Sequence, residues 1–187
     1  MRVKFVALLC VTLLFSGCKG QADPMDKAIA LRNRILENKG CSFQASISAD
    51  YGEKVYEFSM DCRTNKAGDL TFTVTEPTTI AGIQGKIRHD GGALTFDDKV
   101  LAFQTIADGQ ITPVTAPWLL MKTLRSGYMK GCTSDEDGFQ ITINDSYAED
   151  AFYLNIWVNR AHLPVACEIF WEGRRILTVK VENFTYL

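Results

Sequence analysis

The sequence predicts an α+β domain: an antiparallel sheet that must curve, accompanied by two helices. Three observations carry this. Eight or more segments alternate apolar and polar side chains with period two; tight-turn residues separate most of them; and only two stretches carry a helical apolar stripe. Strands following one another across short turns pair antiparallel, and so many in one domain cannot stay flat.

The N-terminal segment stands apart. Arg2 and Lys4 precede an apolar run from Phe5 to Phe15 that only Thr12 interrupts, and Ser16-Gly17-Cys18 ends it. About 11 residues at ~1.5 Å each cover roughly half of a ~30 Å hydrocarbon layer, so a secretory signal over residues 1–17 is expected, not a membrane span. Phe15-Ser16-Gly17-Cys18 resembles a bacterial lipobox, with Phe15 where leucine is usual. That resemblance implies lipidation of Cys18 with palmitate-type acyl chains, anchorage to the cell membrane, and an extracytoplasmic bacterial protein. Residues 18–22 then form the lipidated start and tether, and 23–187 a single domain. Without residues 1–17 the chain keeps 18 basic and 22 acidic residues, a net charge of −4. No basic cluster suggests a nucleic-acid partner.

The first helix is expected from Asp23-Pro24-Met25-Asp26, a cap followed by a first-turn proline. Ala28, Leu31 and Ile35 supply its apolar stripe, and Gly40 ends it. "CSFQASIS" (41–48) and "VYEFSMDC" (55–62) follow as a hairpin around Gly52. A turn centred on Tyr51-Gly52 pairs Ile47 with Tyr56, Ala45 with Phe58, Phe43 with Met60, and Cys41 with Cys62, apolar against apolar throughout. This predicts a Cys41–Cys62 disulfide, leaving Cys132 and Cys167 for a second. The alternative is four reduced, buried thiols. A zinc site lacks the C-x₂-C spacing.

A third strand covers 69–77 with Leu70, Phe72 and Val74 inward; Pro77 ends it and "TTIAG" (78–82) makes one helical turn. Short strands are expected at 83–90, 93–98 and 99–105. The second helix opens at Thr115-Ala116-Pro117 and ends near Gly127. Apolar almost all round, it must be buried on more than one side. "TSDEDG" (133–138) reads as a solvated turn, without EF-hand spacing. Two hairpins close the chain: 139–144 with 152–159, and 165–171 with 176–184 around Glu172-Gly173-Arg174.

No catalytic motif, phosphate loop or cofactor signature is present, and both histidines, His89 and His162, fall in connections. The expectation is a non-enzyme without cofactor. Trp118, Leu119, Leu120 and Met121 are candidates to line or lid a cavity facing Phe43, Phe58, Phe72 and Phe96; the alternative is that they fill a solid core.

The opening helix running into "CSFQASIS", "LTFTVTEPTTIAGI" with Glu76-Pro77, "GGALTF", and the ending "LPVACEIFWEGRRILTVKVENFTYL" together resemble the lipoprotein-carrier family typified by LolA and LolB. The resemblance spans about residues 24–187. It implies a half-open, incomplete antiparallel barrel whose mouth two helices plug, enclosing an apolar cavity for a lipid or acyl chain. Similar lipoproteins of spore-forming bacteria hold or activate partner proteins at the cell envelope, some in germination, which implies an envelope protein partner as the other possibility.

Overall fold

The computed structural model describes residues 23–88, 94–96, 107 and 109–187. Cys18, the tether, His89 and the whole expected strand at 99–105 lie outside the described residues.

Helix α1 (Pro24–Glu37) forms as its sequence requires. The Asp23 carboxylate accepts the Met25 N–H at 2.9 Å, and Pro24 occupies the first turn. Fourteen residues make a marginal helix alone. Burial of Ala28, Leu31 and Ile35 against the sheet holds it, at roughly 1.5–3 kcal/mol for each large side chain. Strand β1 (Gly40–Asp50) follows almost at once. Gly40 is required there, since a Cβ would lie 2.0 Å from the Thr64 carbonyl oxygen.

Ten strands form one antiparallel sheet among the described residues. The first wing runs outward from β1 through β2 (Val55–Asn65), β3 (Leu70–Glu76) and β4 (Gln84–Ile87) to β5 (Leu94–Phe96). The second contains β6 (Tyr128–Asp135), β7 (Gly138–Asn144), β8 (Tyr153–Asn159), β9 (Pro164–Trp171) and β10 (Arg174–Tyr186). Strand β10 pairs with β1, joining the wings, while β5 and β6 stand at opposite edges and do not pair. The curved sheet is therefore a half-barrel, not a closed one. Its inner face is set by alternation: Cys41, Phe43, Ala45, Ile47 and Ala49 of β1 are all buried, with Ser and Gln residues between them outside. A 3-10 turn (Pro113–Thr115) leads into helix α2 (Ala116–Ser126), seated within the half-barrel. Seven of the eleven α2 residues are buried, as expected of a helix apolar on several sides.

The first hairpin corrects the expected register. Asp50 pairs with Val55, so the connection is a four-residue loop, closed by Tyr51 N–H donating to the Lys54 carbonyl at 2.9 Å. Gly52, at φ 91°, supplies the left-handed residue, and its N–H donates to the Asp50 carboxylate at 2.7 Å. Ile47 faces Phe58, Ala45 faces Met60, Phe43 faces Cys62, and Cys41 faces Thr64. Each expected pair is displaced by two residues. Such a shift keeps every side chain on its face, so alternation cannot detect it.

The cysteine pairing falls with the register. All four described cysteines are free thiols. The Cys41 sulfur lies 3.0 Å from the Thr64 hydroxyl. Cys132 on β6 and Cys167 on β9 have β7 and β8 between them, about 14 Å at ~4.8 Å per strand, far beyond disulfide reach. The acidic "TSDEDG" stretch is also tighter than expected: Thr133 to Asp135 belong to β6, which pairs Asp135 with Gly138. The β9–β10 hairpin matches expectation. Trp171 pairs with Arg174 around Glu172 and Gly173, both at positive φ, the mark of a tight two-residue turn.

Candidate functional site

The chain before α2 is shaped by proline. Thr112 is extended, as a residue preceding proline prefers, and Pro113 and Pro117 start the 3-10 turn and the first turn of α2. This path carries Ile111 inward and leaves Trp118 at the helix surface. A pocket of about 310 Å³ opens there, between the end of β4, residues 109–112, the start of α2 and the β7–β8 connection. Its apolar walls are Ile87, Ile111, Trp118, Leu119 and Phe152.

Polar groups gather at one side. Lys122 Nζ lies 3.2 Å from Asp145 Oδ2, in an ion pair whose carboxylate is largely shielded from solvent. Asp145 is fixed further, since its Oδ1 accepts the Phe152 N–H at 2.9 Å. The Lys122 ammonium also stands 5.4 Å from the centre of the Trp118 ring. Trp118 Nε1 is buried and has no hydrogen-bond partner among the described residues. A buried N–H without an acceptor costs ~1–3 kcal/mol; this one is shielded from the open space, so the polar group the site presents is the partly exposed Lys122 ammonium.

Two larger depressions, about 710 and 600 Å³, lie on the outer side of the sheet, the second spanning β1, β2 and β10. Asp61, Arg63, Thr71, Thr73, Gln84 and Lys86 line the first; Glu57, Ser59, Glu76 and Lys180 are among those lining the second. Both are wider open than the α2 pocket, and most of the residues lining them are of polar type, so size does not make them the better enclosed site. Volumes of about 300–1,000 Å³ with apolar walls and a few convergent polar groups are typical of small-molecule sites.

Of the residues expected to bind a ligand, Trp118 and Leu119 line this pocket. Leu120 and Met121 point into the packed core. Phe43, Phe58 and Phe72 are buried there as well, with Phe43 stacked on Phe184 at a ring separation of 5.6 Å. Phe96 pairs with Gly85 in the sheet, and its side chain lies outside the described part. Sequence reasoning missed Ile87, Ile111, Lys122, Asp145 and Phe152, which come from four separate segments. The doublet of prolines around Val114 was the available signal for an inward-turning path.

The other titratable groups do not converge. His162 packs edge-on against Phe139 at 5.6 Å. Burial pushes the Cys41 thiol up to about 11 and moves those of Cys62 and Cys167 higher still. Such thiols are poor nucleophiles at neutral pH. Among the described residues, no group of three or more His, Cys, Asp or Glu side chains is arranged to hold a metal.

An open antiparallel half-barrel with two helices at its concave side is the layout that the resemblance implied. The fold is LolA-like. No family model and no curated protein matches the chain. Similar solved structures include a LolA superfamily protein from Nitrosomonas europaea, at 8% identity and TM-score 0.39, covering 88% of this chain and 93% of the other. An uncharacterized conserved protein from Thermus thermophilus aligns over 87% of both chains, at 11% identity and TM-score 0.43. MucB aligns at 15% identity and TM-score 0.46, over 89% of this chain and 59% of MucB. The half-barrel assignment rests on strand order and helix seating in this chain.

Proposed function

We propose that this protein is a non-enzymatic bacterial envelope lipoprotein, anchored through Cys18, whose half-barrel binds a single-chain amphiphile at the α2 pocket. The observation that carries the reading is the apolar pocket of Ile87, Ile111, Trp118, Leu119 and Phe152 with the partly exposed Lys122 ammonium at its side. An acyl chain fits apolar walls, and a carboxylate at its head fits the Lys122 ammonium. Burying the ligand's methylenes contributes ~0.8 kcal/mol each, which supports retention through purification.

Native mass spectrometry of the detergent-free protein tests this, with added palmitate as the probe. Wild type is expected to carry or take up one chain. Gln110→Trp, an exposed substitution at the pocket rim, is expected to lower occupancy at least tenfold without unfolding. No uptake by wild type, or equal uptake by the variant, overturns the reading.

The second reading is an interaction lipoprotein that holds an envelope partner. It is favoured by the filled interior, where Phe43, Phe58, Phe72, Leu120 and Met121 are all buried in the core. Stoichiometric recovery of one envelope protein, together with a lipid-free pocket, would support it instead.

A further inference from the structure

We infer that the face formed by the outer side of α1 and the start of β6 lies against the bilayer, as a second contact beside the lipid anchor. The inference rests on the Cys18 anchor proposed above.

The described residues expose eight large hydrophobic side chains, and four of them belong to this face: Ile29, Leu36, Tyr128 and Tyr147, the last 86% exposed. Ile29, Arg32 and Leu36 lie at helical spacing along one strip of α1. Arg32 ties that strip to the next element. Its Nε donates to the Leu124 carbonyl at 2.8 Å, and its Nη2 to the Gly127 carbonyl at 2.7 Å, one residue before Tyr128. The Tyr147 ring sits 5.0 Å from that of Tyr128. The ammonium of Lys130 stands 4.7 Å from the centre of the Tyr128 ring. The face thus joins aliphatic groups, two tyrosines and cations.

A bilayer interface suits that chemistry. Tyrosine places an apolar ring and a polar tip at the headgroup level, while lysine and arginine keep their heads in water or on lipid phosphate. Asp26 and Glu37 at the two ends of α1 offset the cations, so apolar and aromatic contact supplies the main attraction.

Tether length selects this face. Four residues lie between Cys18 and Asp23, and the five steps at about 3.5 Å each reach no more than about 17 Å. The N-terminus of α1 therefore stays within that distance of the acyl chains. Ile29 begins the strip about 9 Å further along the helix axis, and Arg32 follows at about 14 Å. A domain held on so short a leash, with apolar groups starting beside the leash, buries them by settling onto the membrane.

The test uses the full lipidated chain in phosphatidylcholine–phosphatidylglycerol vesicles with brominated acyl chains. Two variants each add one indole at an exposed site: Tyr147→Trp on the proposed face, and Tyr56→Trp at the β1–β2 tip, where Tyr56 is 50% exposed. Trp fluorescence is compared with wild type, and palmitate labelling of each sample reports the anchor. The indole from Tyr147→Trp is expected to be quenched several-fold and that from Tyr56→Trp to be unaffected. If both remain unquenched on labelled protein, or only the second is quenched, the docking face is overturned and the anchor stands. If the protein takes up no palmitate, the anchoring reading fails and the docking face falls with it.

Discussion

Truncating Arg32 tests how α2 is held in the half-barrel. The last carbonyls of a helix lack intrahelical donors. In α2, Arg32 serves the Leu124 carbonyl and the Gly127 carbonyl just beyond the helix end, at 2.8 and 2.7 Å. Hydrogen bonds from a charged donor contribute ~1.5–3 kcal/mol each, and a cation at a helix C-terminus ~0.3–1 kcal/mol. Both carbonyls are part-buried, and water enters after truncation, so the lower end of the range applies. Arg32→Ala is expected to cost about 3–4 kcal/mol. For a domain of this size each kcal/mol lowers Tm by ~2–4 °C, giving a drop of about 10 °C. Arg32→Lys keeps the charge and one donor direction but not the fork, so about half the loss is expected. Thermal and urea denaturation followed by circular dichroism at neutral pH measure both. A loss below about 1 kcal/mol for the alanine variant, or equal losses for alanine and lysine, would refute the account. The same change should loosen Trp118 and Leu119, which α2 carries into the pocket, so palmitate occupancy should fall alongside stability.

Thiol chemistry offers a second check. In the folded protein a maleimide should label Cys132 first, because it is the only one of the four described cysteines that is not fully buried; Cys62 and Cys167 should react only on unfolding. An intact mass showing a Cys41–Cys62 crosslink would contradict the observed register. Stability should also fall on the alkaline side. Burial raises the Cys41 thiol from an ordinary value near 9.0 to about 11, so between those values the unfolded chain releases a proton that the folded chain retains. Folding is then weakened as pH rises, by about 2 kcal/mol for this group once pH 11 is reached, with Cys62 and Cys167 adding in the same direction. A urea midpoint that stays level from pH 8 to 10.5 would contradict this.

Local patterns were legible wherever one face of an element meets the core. The Asp23 cap, the Ala28–Leu31–Ile35 stripe, the inward Leu70, Phe72 and Val74, and the turn at Glu172-Gly173 all follow from residue type and spacing within a few positions. Strand β6 was not legible. "YMKGCTSD" has no clean alternation, its edge position leaves most side chains exposed, and a bulge lies between Met129 and Gly131. The pocket was legible only at Trp118 and Leu119, because its other walls arrive from distant segments.

The amino-acid order alone thus settles which side chains of each element turn inward, where the helices begin, and that successive strands run antiparallel. Those properties depend on backbone period and turn chemistry, both local. Pairing partners are another matter. A two-residue slide leaves every face intact, so only the whole packed sheet, with the Asp50–Gly52 loop geometry, sets Cys41 opposite Thr64 and separates the cysteines. The joining of β1 to β10 and the meeting of Ile87, Ile111 and Phe152 around Trp118 likewise arise from contacts between distant segments, which cooperative packing selects and sequence spacing does not encode.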